Sequence, residues 1–463
     1  MTPLPLSRIA QWTGGRVHGD DVLVDAIASD SRTLGAVDGH AVLFIALKGE
    51  RFDGHDHAAA AVAGGARALL VSRQIDVALP QVIVADSQRA LAAFAAAMQR
   101  DRAGKVIAIT GSNGKTSVKT LLRAILERAG NTYATPGNRN NEIGLPLAVL
   151  DAPDDAQFAI YEMGAGKPGD IGYLTAIVRP DIALVNNVAP AHLERMGSLL
   201  GIADTKAAIY DALPADGVAV INADDAFAPY FAERAHGRRL IRFGLEASAD
   251  VSARDIVADA QGSRFVLVTP EGETAVVLAM PGRHNVSNAL AAAALALGAG
   301  VALKLIASGL ATAQPVAGRL VTHRMANDAV LIDDSYNANP GSLNAAIDLL
   351  ATGGGETWLV LGDMREIGND AQILHAQAGR RARAAGIARL YTLGPLSAFA
   401  AQAFGAGARS FDSHPALAEA LRADLSRSDR SAGVRCLVKG SRGSAMDRIV
   451  TALLSGESAD HVA

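Results

Sequence analysis

One cysteine, Cys436, stands in a chain of 463 residues. No internal disulfide can form, so a reducing compartment is expected and the core alone must hold the fold. Aromatic residues are scarce at 4%, so that core must be built mainly from Ala, Val, Leu and Ile. Charge is thin as well, 19% of residues against roughly 25% in an average soluble protein. The formal net charge of -4 lacks the basic excess of a dedicated nucleic-acid binder. A membrane route is also missing. The opening MTPLPLSRIA has no basic flank followed by an apolar signal core. The alanine-rich stretch at 289–303 is broken by glycine and too short to span a bilayer. These absences point to a soluble, cytoplasmic protein with no membrane insertion and no nucleic-acid partner.

What is present is apolar material, 50% of the chain, too much for a disordered polymer. At ~150 residues per domain the length corresponds to about three domains. Residues 1–85 alternate short apolar runs (Val42–Leu47, Ala68–Ser72, Gln81–Ala85) with turn chemistry. A helix over Ser87–Arg100 ends in the charged stretch Asp101–Lys105. Val106–Ile109 then reads as a strand buried on both faces. The helix predicted from Thr116 to Ala129 carries Val118, Leu121, Leu122 and Ile125 on one stripe, with Gly130 as its stop. Phe158–Met163 and Ile182–Asn187 are further short strands, and strands alternating with helices predict a parallel sheet. Arg264–Thr269 and Glu273–Ala279 flank the turn Pro270-Glu271-Gly272 as an appended hairpin. After a hinge around Pro315, Ala317 and Gly318, a second α/β series begins, with strands at Val330–Ile332, Trp358–Leu361, Leu390–Leu393 and Cys436–Val438. The predicted division is 1–85, 86–316 and 317–463.

The sharpest local signal is Thr110-Gly111-Ser112-Asn113-Gly114-Lys115-Thr116-Ser117, set between a buried strand and an amphipathic helix. That is the context of a phosphate-binding loop. Glycines let backbone N–H groups approach phosphate oxygens, and the helix N-terminus adds partial positive charge. Lys115 can reach the terminal phosphates and the Thr116 hydroxyl can ligate Mg²⁺. The standard pattern puts glycine five positions before Gly114; here Ile109 stands there, so the loop is shorter than in ordinary kinases or GTPases. Glu162 ends a strand, where a carboxylate faces the nucleotide crevice as a metal ligand or remains a solvated strand-end acid. His192, just past the third strand, reads as a surface residue or as a ligand at the same sheet edge. Lys206 by itself reads as a surface helix lysine.

Together these segments resemble the Mur ligase family, and the match runs through all three domains. It is carried by Asp30–Thr33, Ala46–His55, the short phosphate loop, Gly137–Pro146, the Glu162 segment, 186–194, Gly282–Ala289, Asp333–Pro340, Leu361–Met364 and Lys439–Gly443. The Asn-Asn-Glu-Ile-Gly-Leu-Pro and Ser-Tyr-Asn-Ala-Asn-Pro segments resemble the members that add D-alanyl-D-alanine to a UDP-N-acetylmuramoyl-tripeptide. The resemblance implies a small N-terminal α/β domain for the UDP-sugar, a central parallel-sheet ATPase domain and a C-terminal Rossmann-like domain, acting as a monomer. It implies ATP and Mg²⁺, with Lys115, Glu162, His192 and Lys206 as the catalytic group. Nucleotide would be held by Gly111, Ser112, Asn113, Gly114, Lys115, Thr116, Ser117, Asn285, Arg319 and Asp334. Metal ligands would be Thr116, Glu162, His192 and Lys206, the lysine carbamylated, although the family's Lys-Gly-Glu is here Lys206-Ala207-Ala208. Ser31, Arg32, Lys48, Gly49, Asp53, Gly54 and His55 would bind the UDP-sugar end, and Asn337 and Asn339 the dipeptide. Competing readings are another Mur ligase, a folylpolyglutamate synthetase, a phosphate-loop kinase and a nucleotide-gated binding protein.

Overall fold

The computed structural model describes residues 1–36, 39–49, 52–190, 193–259, 262–325, 328–352, 354–426 and 433–455. Apolar runs at the predicted places become strands because each is buried on both faces. Val42–Ile45, Ala68–Val71 and Ile182–Val185 are buried at every position. The first unit is a five-stranded sheet in the order Arg16–His18, Gln81–Ile83, Ala68–Val71, Val42–Ile45, Ala26–Ala28, with only its first strand antiparallel.

The central sheet has six strands, all parallel, in the order Arg239–Phe243, Val218–Asn222, Ile182–Val185, Lys105–Thr110, Phe158–Glu162, Thr132–Ala134. The chain leaves Lys105–Thr110 for one side of the sheet and later returns to its other side. The carboxyl end of that strand is therefore a switch point, where a crevice opens between diverging loops. The phosphate loop, Glu162 and Asn186 all sit on that edge. The third unit is another six-stranded sheet, ordered Val321–Arg324, Val330–Asp334, Val434–Lys439, Glu356–Gly362, Arg389–Leu393, Ala408–Phe411, again with one antiparallel edge strand. The mixed α/β class expected from the alternating pattern is the class found.

Two local expectations change. The hairpin gains a third strand, Ser252–Ala258, in which Arg254 and Asp255 interrupt the apolar residues. The helix after the phosphate loop spans Lys115–Leu126, which holds the whole apolar stripe but stops three residues short of the expected Ala129. The alanine-rich segment lies in the helix Arg283–Gly298, whose residues from Ala289 to Ala296 are all fully buried. A helix apolar on every side is an interior helix. Among the described residues no helix is long and apolar enough to cross a membrane.

The phosphate-loop helix packs against this helix and against Leu303–Thr312. The second contact is very close, since a Cβ on Gly309 would lie 2.4 Å from Ile125 Cα. Gly309→Leu is expected to lower unfolding stability by about 1–3 kcal/mol through overpacking. Denaturant unfolding measures it, and an unchanged midpoint would remove Gly309 from the packing account.

Candidate active site

The phosphate loop is held by its neighbours before any ligand arrives. Ser112 N–H donates to the Asn187 carbonyl (3.0 Å) and Asn113 N–H to Asn187 Oδ1 (2.8 Å). Asn186 Nδ2 donates to the Asn113 carbonyl (3.0 Å), and Ser112 Oγ donates to the Ala189 carbonyl (3.0 Å). Gly114 has φ +80°, and a Cβ there would lie 2.5 Å from both Asn186 Nδ2 and Asn288 Oδ1. Only glycine fits this turn. Lys115 Nζ donates to the Gly111 carbonyl at 2.7 Å. Desolvation lowers its ammonium below the ordinary value against the pull of Glu162, and Arg319 lowers it further.

Behind the loop, Glu162 is buried. Its Oε2 accepts from Thr116 Oγ1 (3.0 Å) and pairs with Lys119 Nζ (3.1 Å); its Oε1 accepts from Asn140 Nδ2 (2.8 Å). Burial alone would raise this carboxyl, but Lys119, Lys115 and Asn140 together hold it below the usual range. The donor set suits a hard cation. Two oxygens bound to Mg²⁺ at about 2.1 Å in adjacent octahedral positions lie about 3.0 Å apart, close to the 3.0 Å between Thr116 Oγ1 and Glu162 Oε2. Lys206, on the helix Leu199–Asp211, is 3% exposed and makes no ion pair among the described residues. Burial, with Lys115 nearby, pushes its ammonium down to about 7. Ala207 beside it is fully buried and Ala208 partly so. His192 lies outside the described residues. Among those residues no group of three or more His, Cys, Asp and Glu could hold a metal.

The C-terminal unit closes the other wall. Arg319 Nη2 donates to Thr116 Oγ1 (2.9 Å), and its guanidinium lies 4.4 Å from the Tyr336 ring centroid. Its Nε is buried without a partner among the described residues, a donor suited to an anion. Asn339 caps the helix Pro340–Ala351 through Oδ1 and donates its Nδ2 to Asn113 Oδ1 (2.7 Å). Both ends of that amide are engaged within the chain, so it links the C-terminal unit to the loop. Asp334 pairs with Lys439 Nζ at 2.5 Å; burial raises the carboxyl and Lys439 opposes it. Asn285 Nδ2 donates to the Pro281 carbonyl (2.8 Å). Burial beside Lys439 depresses His284 to about 4, keeping it neutral.

These groups line one cavity of about 610 Å³. Of the residues singled out from sequence, Gly111, Ser112, Asn113, Gly114, Lys115, Ser117, Glu162, Lys206, Asn285, Arg319, Asp334, Asn337 and Asn339 line it. Thr116 stands just behind, bonded to Glu162.

The N-terminal candidates Ser31, Arg32, Lys48, Gly49, Asp53, Gly54 and His55 do not line this cavity. Arg32 forms a forked pair with Asp30 through Nε (2.9 Å) and Nη2 (2.7 Å). His55 is buried, with Nδ1 2.5 Å from Asp53 Oδ1 and Nε2 accepting the Ser72 backbone N–H at 2.8 Å. That acceptor role puts the proton on Nδ1. Neither ring nitrogen is free, so His55 fastens the 52–55 turn instead of offering a hydrogen bond to a ligand. A Cβ on Gly54 would lie 2.7 Å from the Leu47 carbonyl, so that turn also requires its glycine.

Sequence reasoning named no role for Lys119, Asn140, Asn186, Asn187, Asn288, Tyr336 or Lys439. Lys119 carried a signal, being four residues after Lys115 and thus one turn along the same helix face. The others stood inside noted segments, without a spacing that revealed their partners.

Three segments match protein-family models: residues 23–102 the Mur ligase family catalytic domain, 109–296 the Mur ligase middle domain, and 318–442 the Mur ligase glutamate ligase domain. The UDP-N-acetylmuramoyl-tripeptide–D-alanyl-D-alanine ligase of Escherichia coli (strain K12) is 42% identical over 454 residues, covering 98% of this chain and 99% of that one. The crystal structure of MurF from Acinetobacter baumannii superposes with TM-score 0.92 at 34% identity, over 98% of this chain and 99% of that one. MurF ligase from Thermotoga maritima, solved in complex with ADP, gives TM-score 0.82 at 26% identity, over 94% and 99%.

Proposed function

The chain belongs to the Mur ligase family, and from that premise we infer that it is an ATP-dependent ligase of peptidoglycan precursor synthesis, joining D-alanyl-D-alanine to a UDP-N-acetylmuramoyl-tripeptide. The carrying observation is correspondence over almost the whole length of both chains with a ligase of that activity, so every domain has its counterpart. The division of labour we assign is UDP-sugar to 1–85, ATP to 86–316 and the incoming amine to 317–463. Precursor synthesis of this kind belongs in the cytoplasm.

The reaction is amide formation in two steps. The tripeptide carboxylate attacks the γ-phosphate of ATP, forming an acyl phosphate and releasing ADP. The amine of D-alanyl-D-alanine then attacks the acyl carbon, phosphate leaves, and the amine nitrogen gives up a proton. A carboxylate must approach a polyanion, so fixed positive charge decides the rate. Lys115 leaves its Gly111 carbonyl for the phosphates, and Arg319 brings a second cation from the C-terminal wall. Bound Mg²⁺, held by Thr116, Glu162, His192 and carbamylated Lys206, would supply the charge that draws carboxylate and γ-phosphate together. Asn285 faces the adenine and Asp334 the ribose. Asn337 and Asn339 stand on the dipeptide side, Asn339 through its bond to the phosphate loop. Ser31, Arg32, Lys48, Gly49 and Asp53 hold the UDP-sugar, with Gly54 and His55 shaping their turn. Contributions from the central and C-terminal units to one cavity exclude water from the acyl phosphate when those units close.

Phosphate release from ATP, measured with the UDP-tripeptide and a panel of amine acceptors, tests this. D-alanyl-D-alanine is expected to support turnover and single amino acids to fail. Turnover with a single amino acid and none with the dipeptide would move the chain to another branch of the family. A stable phosphorylated product formed without any amine would make it a kinase.

A further inference from the structure

Lys119 takes no part in the chemistry above, and its surroundings are unusual for a lysine. It lies one turn beyond Lys115, on the buried side of the phosphate-loop helix, and is 6% exposed. Its ammonium has three N–H bonds and three acceptors: Glu162 Oε2 at 3.1 Å, the Thr135 carbonyl at 2.9 Å and the Gly137 carbonyl at 2.8 Å. No donor is left over for a ligand, and Lys119 does not line the cavity.

The two carbonyls begin the segment that delivers Asn140. Asn140 Nδ2 donates to Glu162 Oε1 (2.8 Å), and its carbonyl accepts Gly164 N–H (2.7 Å). The Thr135 hydroxyl accepts the Glu162 backbone N–H at 3.2 Å. Lys119 thus fixes one carboxylate oxygen directly and the other through the 135–140 segment. Rotation of the carboxylate is stopped at both oxygens, and its open side is left to the cavity that Glu162 lines.

We propose that Lys119 is a positioning residue: acting through Glu162, it holds the carboxylate in the orientation that meets a nucleotide-bound divalent cation, and so sets how strongly that cation tightens nucleotide binding. The proposal rests on the reading of Glu162 as a cation ligand. A fixed cation beside a metal-binding carboxylate also repels the metal, so the arrangement is useful only where the gain in orientation exceeds that repulsion.

Calorimetric binding of ADP to the full chain, with and without Mg²⁺, separates these effects. In Lys119→Gln the Mg²⁺-free affinity is expected to stay within about twofold, while the enhancement by Mg²⁺ falls about tenfold, the usual scale for a residue behind a metal ligand. Lys119→Arg keeps the charge but moves the donors, and a fall of about threefold in the same enhancement is expected. If Lys119→Gln does not fold, the Arg variant carries the comparison. Equal losses with and without Mg²⁺ would reduce Lys119 to a structural ion pair and overturn the proposal. A larger enhancement in the variants would overturn it too, making Lys119 a competitor of the metal. Glu162→Gln tells the two layers apart and is expected to abolish the enhancement. If it does not, the reading of Glu162 fails. If it does while both Lys119 variants behave like the parent, only the Lys119 proposal fails.

Discussion

Lys206→Ala is expected to lose turnover by on the order of a hundredfold or more, and a short carboxylic acid such as formate is expected to restore part of it. The lysine sits 3% exposed in a helix that lines the cavity, without an ion pair among the described residues. An unpaired buried ammonium is costly, and burial together with Lys115 brings this one down to about 7. Near neutral pH much of it is therefore the free amine, the form that would add CO₂ to give a carbamate and a proton. That reaction would turn a buried cation position into an anion beside Lys115, able to share a divalent cation with Thr116 and Glu162. Alanine removes that anion and leaves room for a small carboxylate to take its place. Steady-state ADP release with and without added formate measures both effects, and full activity in the alanine variant would take Lys206 out of the mechanism.

The same shift fixes a stability trend for the unmodified chain. The folded pKa, about 7, lies below the ordinary 10.5, so between those values the unfolded chain binds the extra proton. Stability from this group rises with pH across that window and is lost as pH falls toward 7. Thermal unfolding of CO₂-depleted protein should show the slope, and Lys206→Ala should flatten it.

Lys115→Ala is expected to cost turnover on the order of a thousandfold, the scale of a lost cation on transferring phosphates, and to weaken ADP binding as well. The side chain starts on the Gly111 carbonyl at 2.7 Å, inside the loop that would wrap the phosphates. Among the described residues, Lys119 is spent on three acceptors and Arg319 approaches from the C-terminal wall, so neither stands in the loop where Lys115 does. ADP release and calorimetry report the two losses separately. Turnover within a few-fold of the parent would show that the loop does not hold the phosphates in this way.

Much of this was legible without coordinates. The stripe Val118, Leu121, Leu122, Ile125 is a pattern of neighbours on one helix, and all four residues are fully buried. Val106–Ile109 reads as a strand because each residue carries its own burial preference. The strand Ser252–Ala258 was not legible, since Arg254 and Asp255 break its apolar residues into separate pieces. His55 and Asn339 were visible as polar residues in characteristic segments, but their partners Ser72 and Asn113 were not.

The sequence by itself determined the phosphate loop, the alternation of buried strands and amphipathic helices, and through its segments the family, because these are encoded in residues close along the chain. Only the tertiary structure decided what surrounds the reacting groups. Arg319 meets Thr116 across 203 residues and Asn339 meets Asn113 across 226. Lys119, whose spacing from Lys115 marks a helix face but names no acceptor, becomes the partner of a carboxylate on a neighbouring strand. Hydrophobic burial follows local periodicity, whereas a polar group's partner depends on which loops the sheet order brings to one edge. No spacing in the sequence records that order.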